Sequence, residues 1–287
     1  MHKVAVIVRT KNRELFLPRA IESIINQTYK DWIIVVVNDG GDAKKVEEVL
    51  ELYLKEYKDN IMLIHNEVSQ GMEAAANKGI KLSESEYIVI HDDDDTWDRT
   101  FLENTIGFLE SNSIDGIKGV VTLCNRVVER IIDGEIHRIR IEPYCTHIVP
   151  SIFRMAAHNI FTTISFVYER NVLEEIGYYK EYLPVLGDWE FNLRFLEKFD
   201  VHVISKLLAN YHQREDSSTA DTRNSLKDYE KLAFYDNLIR NQLLRKDIEK
   251  GTIGLGLLVN IAQIFDYSCS RLDKVEGILR KIYSGLK

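Results

Sequence analysis

The chain has 287 residues, of which 45% are hydrophobic and 29% are charged, so it suits one large globular domain or one domain with an appendage. Its 37 basic and 45 acidic residues give a formal net charge of −8, which argues against non-specific nucleic-acid binding. The three cysteines, Cys124, Cys145 and Cys269, are too widely spaced for a zinc motif or a disulfide framework, and this pattern predicts a reducing compartment.

The start of the chain and its hydropathy predict neither a signal peptide nor a membrane span. The chain begins Met-His-Lys and then enters a predicted strand, which differs from a secretory leader. The longest apolar run, 255–265, is interrupted by Asn260 and Gln263 and is shorter than the roughly 18 residues that a span needs. We therefore expect a cytoplasmic protein.

Strands and helices alternate through the first half of the chain. Short β-branched runs predict buried strands, and apolar residues at helical spacing predict amphipathic helices. In chain order these are a strand at 4–8, a helix that begins near Pro18, a strand at 32–37, a helix at 43–58, a strand at 61–64, a helix at 71–82, a strand at 87–90 and a helix at 99–110. This alternation predicts an α/β fold with a mostly parallel sheet and helices on both faces.

The pattern changes after about residue 118. Asp133-Gly134 separates two β-rich runs, 120–132 and 135–141, and predicts a hairpin. The following segments are predicted as a strand at 164–168, helices near 170–176 and 189–199, a strand near 202–204 and a mobile loop at 213–219. From about residue 225 the chain is predicted to be helical.

Four consecutive aspartates, Asp92, Asp93, Asp94 and Asp95, follow the predicted strand at 87–90. Adjacent carboxylates repel one another, and burial strengthens that repulsion, so positive charge is expected beside them. Their oxygens suit Mg²⁺ or Mn²⁺, which commonly accompany phosphate. A purely structural role is the less favoured alternative, and the run indicates nucleotide chemistry.

Motifs of other nucleotide- and cation-binding proteins are absent from the sequence. There is no G-x-x-x-x-G-K-[ST] loop and no G-x-G-x-x-G after the first strand. An EF-hand needs glycine at its sixth position, where Trp97 stands if the loop is counted from Asp92.

Two more polar segments follow predicted strands, 9–13 after the first and 38–42 after the second. The carboxyl ends of parallel strands lie along one edge of a sheet, where ligands bind. We therefore expect the basic groups of 9–13, Asp39 and the four aspartates to surround one crevice. Taken alone, Asp39-Gly40 is equally well explained as a turn, and 9–13 is better explained as a solvated loop. The prediction of a shared crevice therefore depends on the three segments lying at the same edge of the sheet.

The ordered set of segments resembles the family 2 glycosyltransferases of the GT-A fold, over roughly residues 3–215. The matching segments are 8–13, 36–41, 66–79, 90–97, 186–194 and 211–214. The resemblance implies an inverting, metal-dependent enzyme of cell-surface polysaccharide synthesis. Such an enzyme moves a sugar from a nucleotide-diphosphate sugar to a hydroxyl of a glycan or lipid-linked acceptor, with a UDP-sugar as the favoured donor and Mn²⁺ or Mg²⁺ as the cation.

The resemblance also implies roles for individual residues. The implied metal ligands are Asp94, Asp92 and His212. The implied nucleotide-sugar contacts are Arg9, Thr10, Asn12, Asp39, Gly71, Asn77, Asp92, Asp93 and Arg214. The implied catalytic base is Asp188, beside Gly187, which replaces the family's usual glutamate. We expect a helix N-terminus to keep Asp188 ionised. The alternatives are a plain helix cap for Asp188 and a packed histidine for His212.

The same resemblance divides the chain. Residues 1–224 are expected to form the catalytic domain, with a nucleotide-sugar-binding half at 1–118 and an acceptor-binding half at 119–224. Residues 225–287 are expected to form a helical C-terminal extension. The acceptor wall is predicted within 141–163, where the candidate residues are Tyr144, His147, Arg154, His158, Asn159 and Thr162.

The C-terminal extension carries a predicted apolar stripe. The stripe consists of Ile253, Leu257, Leu258, Ile261, Ile264 and Phe265, and the basic residues around it are Arg240, Arg245, Lys246, Arg271, Lys274, Arg280 and Lys281. Packing against the catalytic domain, docking of a partner protein, formation of a homo-oligomer and peripheral attachment at the inner face of the membrane all remain open.

Two rival functions are weighed against sugar transfer. A sugar nucleotidyltransferase shares the α/β fold and the acidic metal site, but it needs a glycine-rich phosphate loop after the first strand, and residues 9–13 contain no glycine. A non-catalytic nucleotide-sugar-binding subunit is expected to have lost its metal motif or its base. Gly187 is the one departure in that direction.

Overall fold

The computed structural model describes residues 2–215, 229–252 and 254–285. The strands of this part are β1 (His2–Thr10), β2 (Trp32–Asp39), β3 (Ile61–Asn66), β4 (Ser85–Asp92), β5 (Thr96–Trp97), β6 (Ile117–Ile132), β7 (Glu135–Cys145), β8 (Phe166–Glu169) and β9 (Asp200–Arg214). The helices are α1 (Leu17–Ile25), α2 (Ala43–Glu56), α3 (Met72–Leu82), α4 (Phe101–Ser111), α5 (Ile152–Ala157), α6 (Val172–Ile176), α7 (Gly187–Lys198), α8 (Tyr229–Lys250) and α9 (Leu255–Gly285).

One mixed sheet organises the molecule, with the strand order β3-β2-β1-β4-β8-β6-β9-β5, and β7 pairs with β6 off this path. The strands β3, β2, β1 and β4 are parallel, as the alternation of strand and helix predicts. Beyond them β8 runs antiparallel to both β4 and β6, while β6 and β9 are parallel. The predicted α/β class is confirmed, and the antiparallel pairs are concentrated in the second half of the chain.

The parallel strands are buried on both faces, which explains their continuous apolar sequence. Successive side chains of a strand point to opposite faces. In β1, Val4, Val6 and Val8 accordingly pack in one core with α1, whereas Ala5 and Ile7 pack in the other core with α3. The sheet thus fixes where each strand ends, and the ends carry the polar residues of the site.

The predicted strand near 202–204 is present, but β9 is much longer than its sequence indicates. Its pairing with β6 extends to Gln213 beside Val128 and Arg214 beside Glu129, so the first two residues of the predicted loop at 213–219 lie in the strand. The pairing is between distant segments, which local sequence patterns do not report. Residues 216–219 and the predicted domain boundary at 224/225 lie outside the described residues.

The helical C-terminal extension is present, but its buried face differs from the predicted stripe. Val259 and Ala262 are buried, whereas Ile261, Ile264 and Phe265 are exposed. Helix α9 contacts α8 and α5, so the face of the helix that packs is offset from the predicted one. Ile253, the first member of the stripe, lies outside the described residues. None of the described helices has the length and apolar character needed to cross a membrane.

Arg240 of α8 was predicted as an exposed basic residue beside that stripe. It is instead buried where α8 packs against α5 and α9. It pairs with Asp236 at 2.8 Å and donates hydrogen bonds to the main-chain oxygens of Ala156, Ala157 and Val259. Tertiary packing explains the difference, because several acceptors converge on a side chain that the sequence pattern places at the surface.

Gly79 lets α3 approach the sheet. A Cβ atom at this position would lie 2.6 Å from Cγ2 of Ile7 and 3.3 Å from Cγ2 of Val37. We expect Gly79→Ala to lower the free energy of unfolding by about 1–3 kcal/mol, because the added methyl group overpacks the core. Urea denaturation followed by circular dichroism measures the change.

Gly107 in α4 is the matched control, because it is exposed and an added Cβ there meets nothing within 4 Å. Gly107→Ala should raise the free energy of unfolding by up to about 1 kcal/mol, since alanine favours the helix over glycine. Equal effects of the two substitutions would show that Gly79 is not a packing requirement.

Candidate active site

The three predicted polar clusters meet at the carboxyl edge of the sheet. Thr10 pairs with Asn38 across β1 and β2, and Arg9 pairs with Asp92 across β1 and β4. Residues of all three clusters line a cavity of about 410 Å³, which we call the donor cavity. The predicted residues in its lining are Arg9, Thr10, Asp39, Gly71, Asp92, Asp93, Asp94, His212 and Arg214.

Arginines supply the positive charge that the aspartate run requires. Nη1 of Arg13 lies 2.8 Å from Oδ2 of Asp94 and 3.2 Å from Oδ1 of Asp93, and Nη2 of Arg214 lies 2.6 Å from the same Asp94 oxygen. These contacts join the loop after β1, the end of β4 and the end of β9. The charges of Asp93 and Asp94 are therefore balanced within the protein by side chains distant in sequence.

Arg9 extends this cluster toward a second cavity. Its guanidinium pairs with the carboxylate of Asp92, and the arginine side chain is only 10% exposed, whereas that of Asp92 is 32% exposed. Asp92 is thus the member of the run most open to a ligand.

Burial and neighbouring charge separate the pKa values of the aspartates. Burial opposes ionisation of Asp94, but Arg13 and Arg214 hold its pKa below the usual value. Burial raises the pKa of Asp93 in spite of Arg13, and burial with repulsion from Asp94 raises the pKa of Asp95 well above its usual value. Asp94 is therefore the aspartate whose charge the structure stabilises most directly.

Asp39 organises the loop between β3 and α3. Its Oδ1 accepts hydrogen bonds from Nδ2 of Asn66 at 2.7 Å and the amide of Gln70 at 2.9 Å, and its Oδ2 accepts from Ser69 Oγ at 2.8 Å and the amide of Gly71 at 2.9 Å. Burial opposes ionisation, but these four donors hold the pKa of Asp39 below its usual value. The carboxylate thereby fixes the backbone that borders the donor cavity.

His212 uses both ring nitrogens within the protein. Its Nδ1 lies 2.8 Å from Oε1 of Glu129, and its Nε2 lies 2.9 Å from Oγ1 of Thr96. Burial lowers the pKa of His212 despite the Glu129 carboxylate, which favours the neutral ring. Its role as a metal ligand stays a prediction, and it requires one of these two contacts to break. Over the ranges that the structure describes, no group of three or more His, Cys, Asp or Glu side chains is arranged to hold a metal ion.

A second cavity of about 310 Å³ adjoins the first and is lined by Asp188; it is called here the transfer cavity. Arg9, Met72, Asp92 and Tyr211 line both cavities. A ligand that fills the donor cavity can therefore reach toward Asp188 across Arg9 and Asp92.

Asp188 stands in the first turn of α7, whose N-cap is Leu186, so the cap alternative does not hold. Its Oδ2 accepts hydrogen bonds from Asn159 Nδ2 at 2.7 Å and Thr163 Oγ1 at 3.3 Å. Burial raises the pKa of Asp188, and the hydrogen bond from the amide of Trp189 acts against this rise, so the expectation that the helix N-terminus keeps Asp188 ionised stays a prediction. The carboxyl group is held in place by this amide together with Asn159 and Thr163.

The remaining predicted residues divide between cavity and scaffold. Tyr144, Asn159 and Thr162 line the transfer cavity. His147, Arg154 and His158 line a neighbouring cavity of about 590 Å³, which shares Tyr144 and Asn159 with it.

Two predicted nucleotide-sugar contacts are engaged by the protein backbone. Asn77 donates to the main-chain oxygen of Tyr179 at 2.9 Å and accepts from its amide at 3.1 Å. Asn12 has a left-handed backbone (φ 53°) and accepts from the amide of Asp42 at 3.3 Å. Asn12 thus connects the loop after β1 to the start of α2, and Asn77 connects α3 to the segment at Tyr179. Contact of either residue with a ligand stays a prediction.

Three charged residues of the site were missed by sequence reasoning. Arg19 binds both oxygens of Glu129 and, at 2.6 Å, the main-chain oxygen of Asp94. Glu73 is buried in the transfer cavity, where burial raises its pKa to about 7. The sequence signal that could have identified them is a single charged residue within an otherwise apolar helix face or strand. Glu73, directly before the run Ala74–Ala76, is an example.

Residues 5–177 match the family model described as "Glycosyl transferase family 2". An uncharacterized glycosyltransferase of Methanocaldococcus jannaschii, MJ1057, is 37% identical over 110 residues, which is 38% of each chain. The putative colanic acid biosynthesis glycosyl transferase WcaA of Escherichia coli is 35% identical over 95 residues, which is 33% of each chain. The matched segment thus spans about a third of the length of each of these relatives.

Two solved structures have a similar fold. Staphylococcus aureus TarS 1-349 in complex with UDP-GlcNAc superposes with a TM-score of 0.58 at 19% identity, over 84% of this chain and 66% of that one. The mannosyltransferase PcManGT of Pyrobaculum calidifontis, in complex with GDP-Man and Mn²⁺, gives a TM-score of 0.59 at 16% identity, over 91% and 69%. At these identities the likeness shows the fold alone.

The four hydrogen bonds to Asp39 predict a pH-dependent contribution to stability. Asp39→Asn should lower the free energy of unfolding by about 2–3 kcal/mol at pH 7, because an amide cannot accept from all four donors. Since the pKa of Asp39 is lowered in the folded protein, its stabilisation is present above about pH 4 and is lost as the pH falls through the folded pKa. Urea denaturation at pH 7 and below pH 4 tests both statements.

Asp42→Asn is the control, because Asp42 is an exposed N-cap that accepts from the amide of Lys45, and asparagine caps equally well. A change of similar size in both variants, or an Asp39→Asn effect that does not shrink in acid, would contradict the assignment.

Proposed function

The chain belongs to glycosyl transferase family 2, and we propose that it moves a sugar from a nucleotide-diphosphate sugar to a hydroxyl group of a glycan or lipid-linked acceptor, with inversion at the anomeric carbon. The observation that carries this proposal is that the donor cavity, bounded by Arg13, Arg214 and the aspartates, opens across Arg9 and Asp92 onto the cavity that holds Asp188. The colanic acid role in the name of WcaA supports a place in cell-surface polysaccharide synthesis.

The donor cavity suits a nucleoside diphosphate. Guanidinium groups of Arg9, Arg13 and Arg214 border it, and such groups bind phosphate oxygens with charge-assisted hydrogen bonds. The complexes of TarS with UDP-GlcNAc and of PcManGT with GDP-Man support this ligand class. A UDP-sugar remains the favoured donor.

The acidic edge of the donor cavity fits a divalent cation. Mg²⁺ is usually held by one or two carboxylates together with substrate phosphates, so Asp94 and Asp92 suffice without a complete ligand cluster in the protein. His212 is less suited, since Glu129 and Thr96 engage its ring nitrogens. When bound, the cation neutralises negative charge on the leaving diphosphate.

Asp188 supplies the base on the acceptor side. As the acceptor oxygen bonds to the anomeric carbon, the bond from that carbon to the phosphate oxygen breaks, and the acceptor's proton passes to the Asp188 carboxylate. The raised pKa of Asp188 strengthens it as a proton acceptor. Asn159 and Thr163 orient the carboxylate through their hydrogen bonds.

The proposed division into a donor half at 1–118 and an acceptor half at 119–224 needs one refinement. Tyr211, His212 and Arg214 at the end of β9 line the donor cavity, so the second half also contributes to donor binding. The rival nucleotidyltransferase and binding-subunit functions are less well supported, because neither requires a carboxylate such as Asp188 beside the donor cavity.

Asp188→Asn tests the base. We expect nucleotide-sugar binding within about twofold of the wild type, because the side-chain shape is kept. Transfer should fall by about 100-fold or more, because the amide cannot take the proton. Calorimetry and a release assay for the nucleoside diphosphate measure the two quantities.

The matched control is Glu190→Gln, two residues further along α7, where Glu190 pairs with Arg194 and lines a different cavity. Near-normal turnover in Asp188→Asn, or an equal loss in Glu190→Gln, would remove Asp188 from the mechanism.

Asp94→Asn tests the cation site. In the wild type, Mn²⁺ should strengthen UDP, GDP or dTDP binding by about tenfold or more relative to EDTA, and the variant should lose most of this gain. Binding without the cation should remain measurable, because Arg13 and Arg214 are retained. Calorimetry with and without Mn²⁺ decides it, and an unchanged cation effect in the variant would refute the role of Asp94.

A further inference from the structure

Glu73 is a buried acid of the transfer cavity with no task in the reaction as proposed. It lies in the first turn of α3 and is only 3% exposed. The same cavity contains Asp188 and Asp92. A buried carboxyl group is costly unless it is paired and hydrogen-bonded, so its partners are informative.

The pairing of Glu73 is incomplete. Its nearest cation is Nη1 of Arg9, which lies 3.9 Å from Oε2, beyond hydrogen-bond distance. Within the described ranges, no hydrogen-bond donor reaches Oε2 of Glu73, and Nε of Arg9 has no acceptor. Buried polar atoms are rarely left unsatisfied, so these two atoms point to a polar ligand group that enters the cavity.

Gly187 makes the room that Glu73 occupies. A Cβ atom at 187 would lie 2.5 Å from both Cδ and Oε1 of Glu73. The carboxyl group therefore fills the space that any side chain at this position needs. Because Gly187 directly precedes Asp188, Glu73 lies against the backbone that presents the proposed base.

The linings of the two cavities show where Glu73 lies relative to a nucleotide sugar bound in the donor cavity. Arg9 and Asp92 line both cavities, whereas Glu73 lines only the transfer cavity. With the diphosphate in the donor cavity, the transferred sugar extends past Arg9 and Asp92 toward Glu73 and Asp188.

We propose that Oε2 of Glu73 accepts a hydrogen bond from a hydroxyl group of the transferred sugar, and that this contact helps to select which sugar is bound. The inference rests on the proposed function, because it requires a nucleotide sugar in the donor cavity. Sugars that place a hydroxyl group at Oε2 satisfy the buried carboxylate, and those that do not leave it unpaired.

Glu73→Gln tests the contact with little change of shape. The probes are the nucleotide sugar that binds the wild type most tightly in a panel of UDP-, GDP- and dTDP-sugars, and the matching nucleoside diphosphate, both with Mn²⁺ in calorimetry. At about pH 8.5, where Glu73 is ionised in spite of its raised pKa of about 7, the variant should bind the nucleotide sugar about tenfold more weakly, because a charged acceptor is replaced by a neutral one. Its affinity for the nucleoside diphosphate should change by less than about twofold.

Two further variants sharpen the test. Glu190→Gln removes another acid of the same region, outside the transfer cavity, and should leave both affinities unchanged. Gly187→Ala should displace the Glu73 carboxyl group through its new Cβ and weaken nucleotide-sugar binding selectively, as Glu73→Gln does.

The outcomes separate the alternatives. An equal loss for both ligands in Glu73→Gln would overturn the proposal, because it would show that Glu73 only supports Arg9. No loss for either ligand would also overturn it. If the wild type binds neither class of ligand, the proposed function fails and the inference fails with it, whereas a selective loss of the nucleotide sugar supports both.

Discussion

Ion pairs between arginines and consecutive aspartates at the end of β4 are the interaction on which the site depends. Arg9 comes from β1, Arg13 from the loop after it and Arg214 from the end of β9, and together they balance Asp92, Asp93 and Asp94. Like charges on neighbouring residues of a buried edge repel one another. The arginines compensate this repulsion, and their ion pairs link the parallel strands β1 and β4 to β9 in the mixed half of the sheet. The site lies at this junction.

The same ion pairs shape the proposed chemistry. On the proposed function, a cation held by Asp94 would take over the charge compensation that Arg13 and Arg214 give this carboxylate. Either guanidinium would then remain beside the donor cavity, where it could bind a phosphate oxygen. Asp188, whose side-chain partners Asn159 and Thr163 are neutral, takes no part in these ion pairs and is the proposed base for the acceptor.

The sequence predicted the features that are encoded locally. The strand–helix alternation, the hairpin at Asp133-Gly134 and the convergence of polar residues at the ends of β1, β2 and β4 follow from periodicity, turn chemistry and the geometry of parallel strands. The features it missed depend on distant partners. The length of β9 comes from its pairing with β6, and the Arg19–Glu129 pair joins α1 to β6 across 110 positions. The raised pKa of Asp188 reflects burial by the folded chain, which outweighs the local effect of the helix N-terminus.

A crystal structure with Mn²⁺ and a non-hydrolysable phosphonate analogue of the preferred nucleotide sugar would show where the diphosphate and the sugar bind. We expect the diphosphate beside Asp94 and Arg214, and the sugar in the transfer cavity between Glu73 and Asp188. A diphosphate bound away from the aspartates, or a sugar in the 590 Å³ cavity beside α9 rather than next to Asp188, would contradict this expectation.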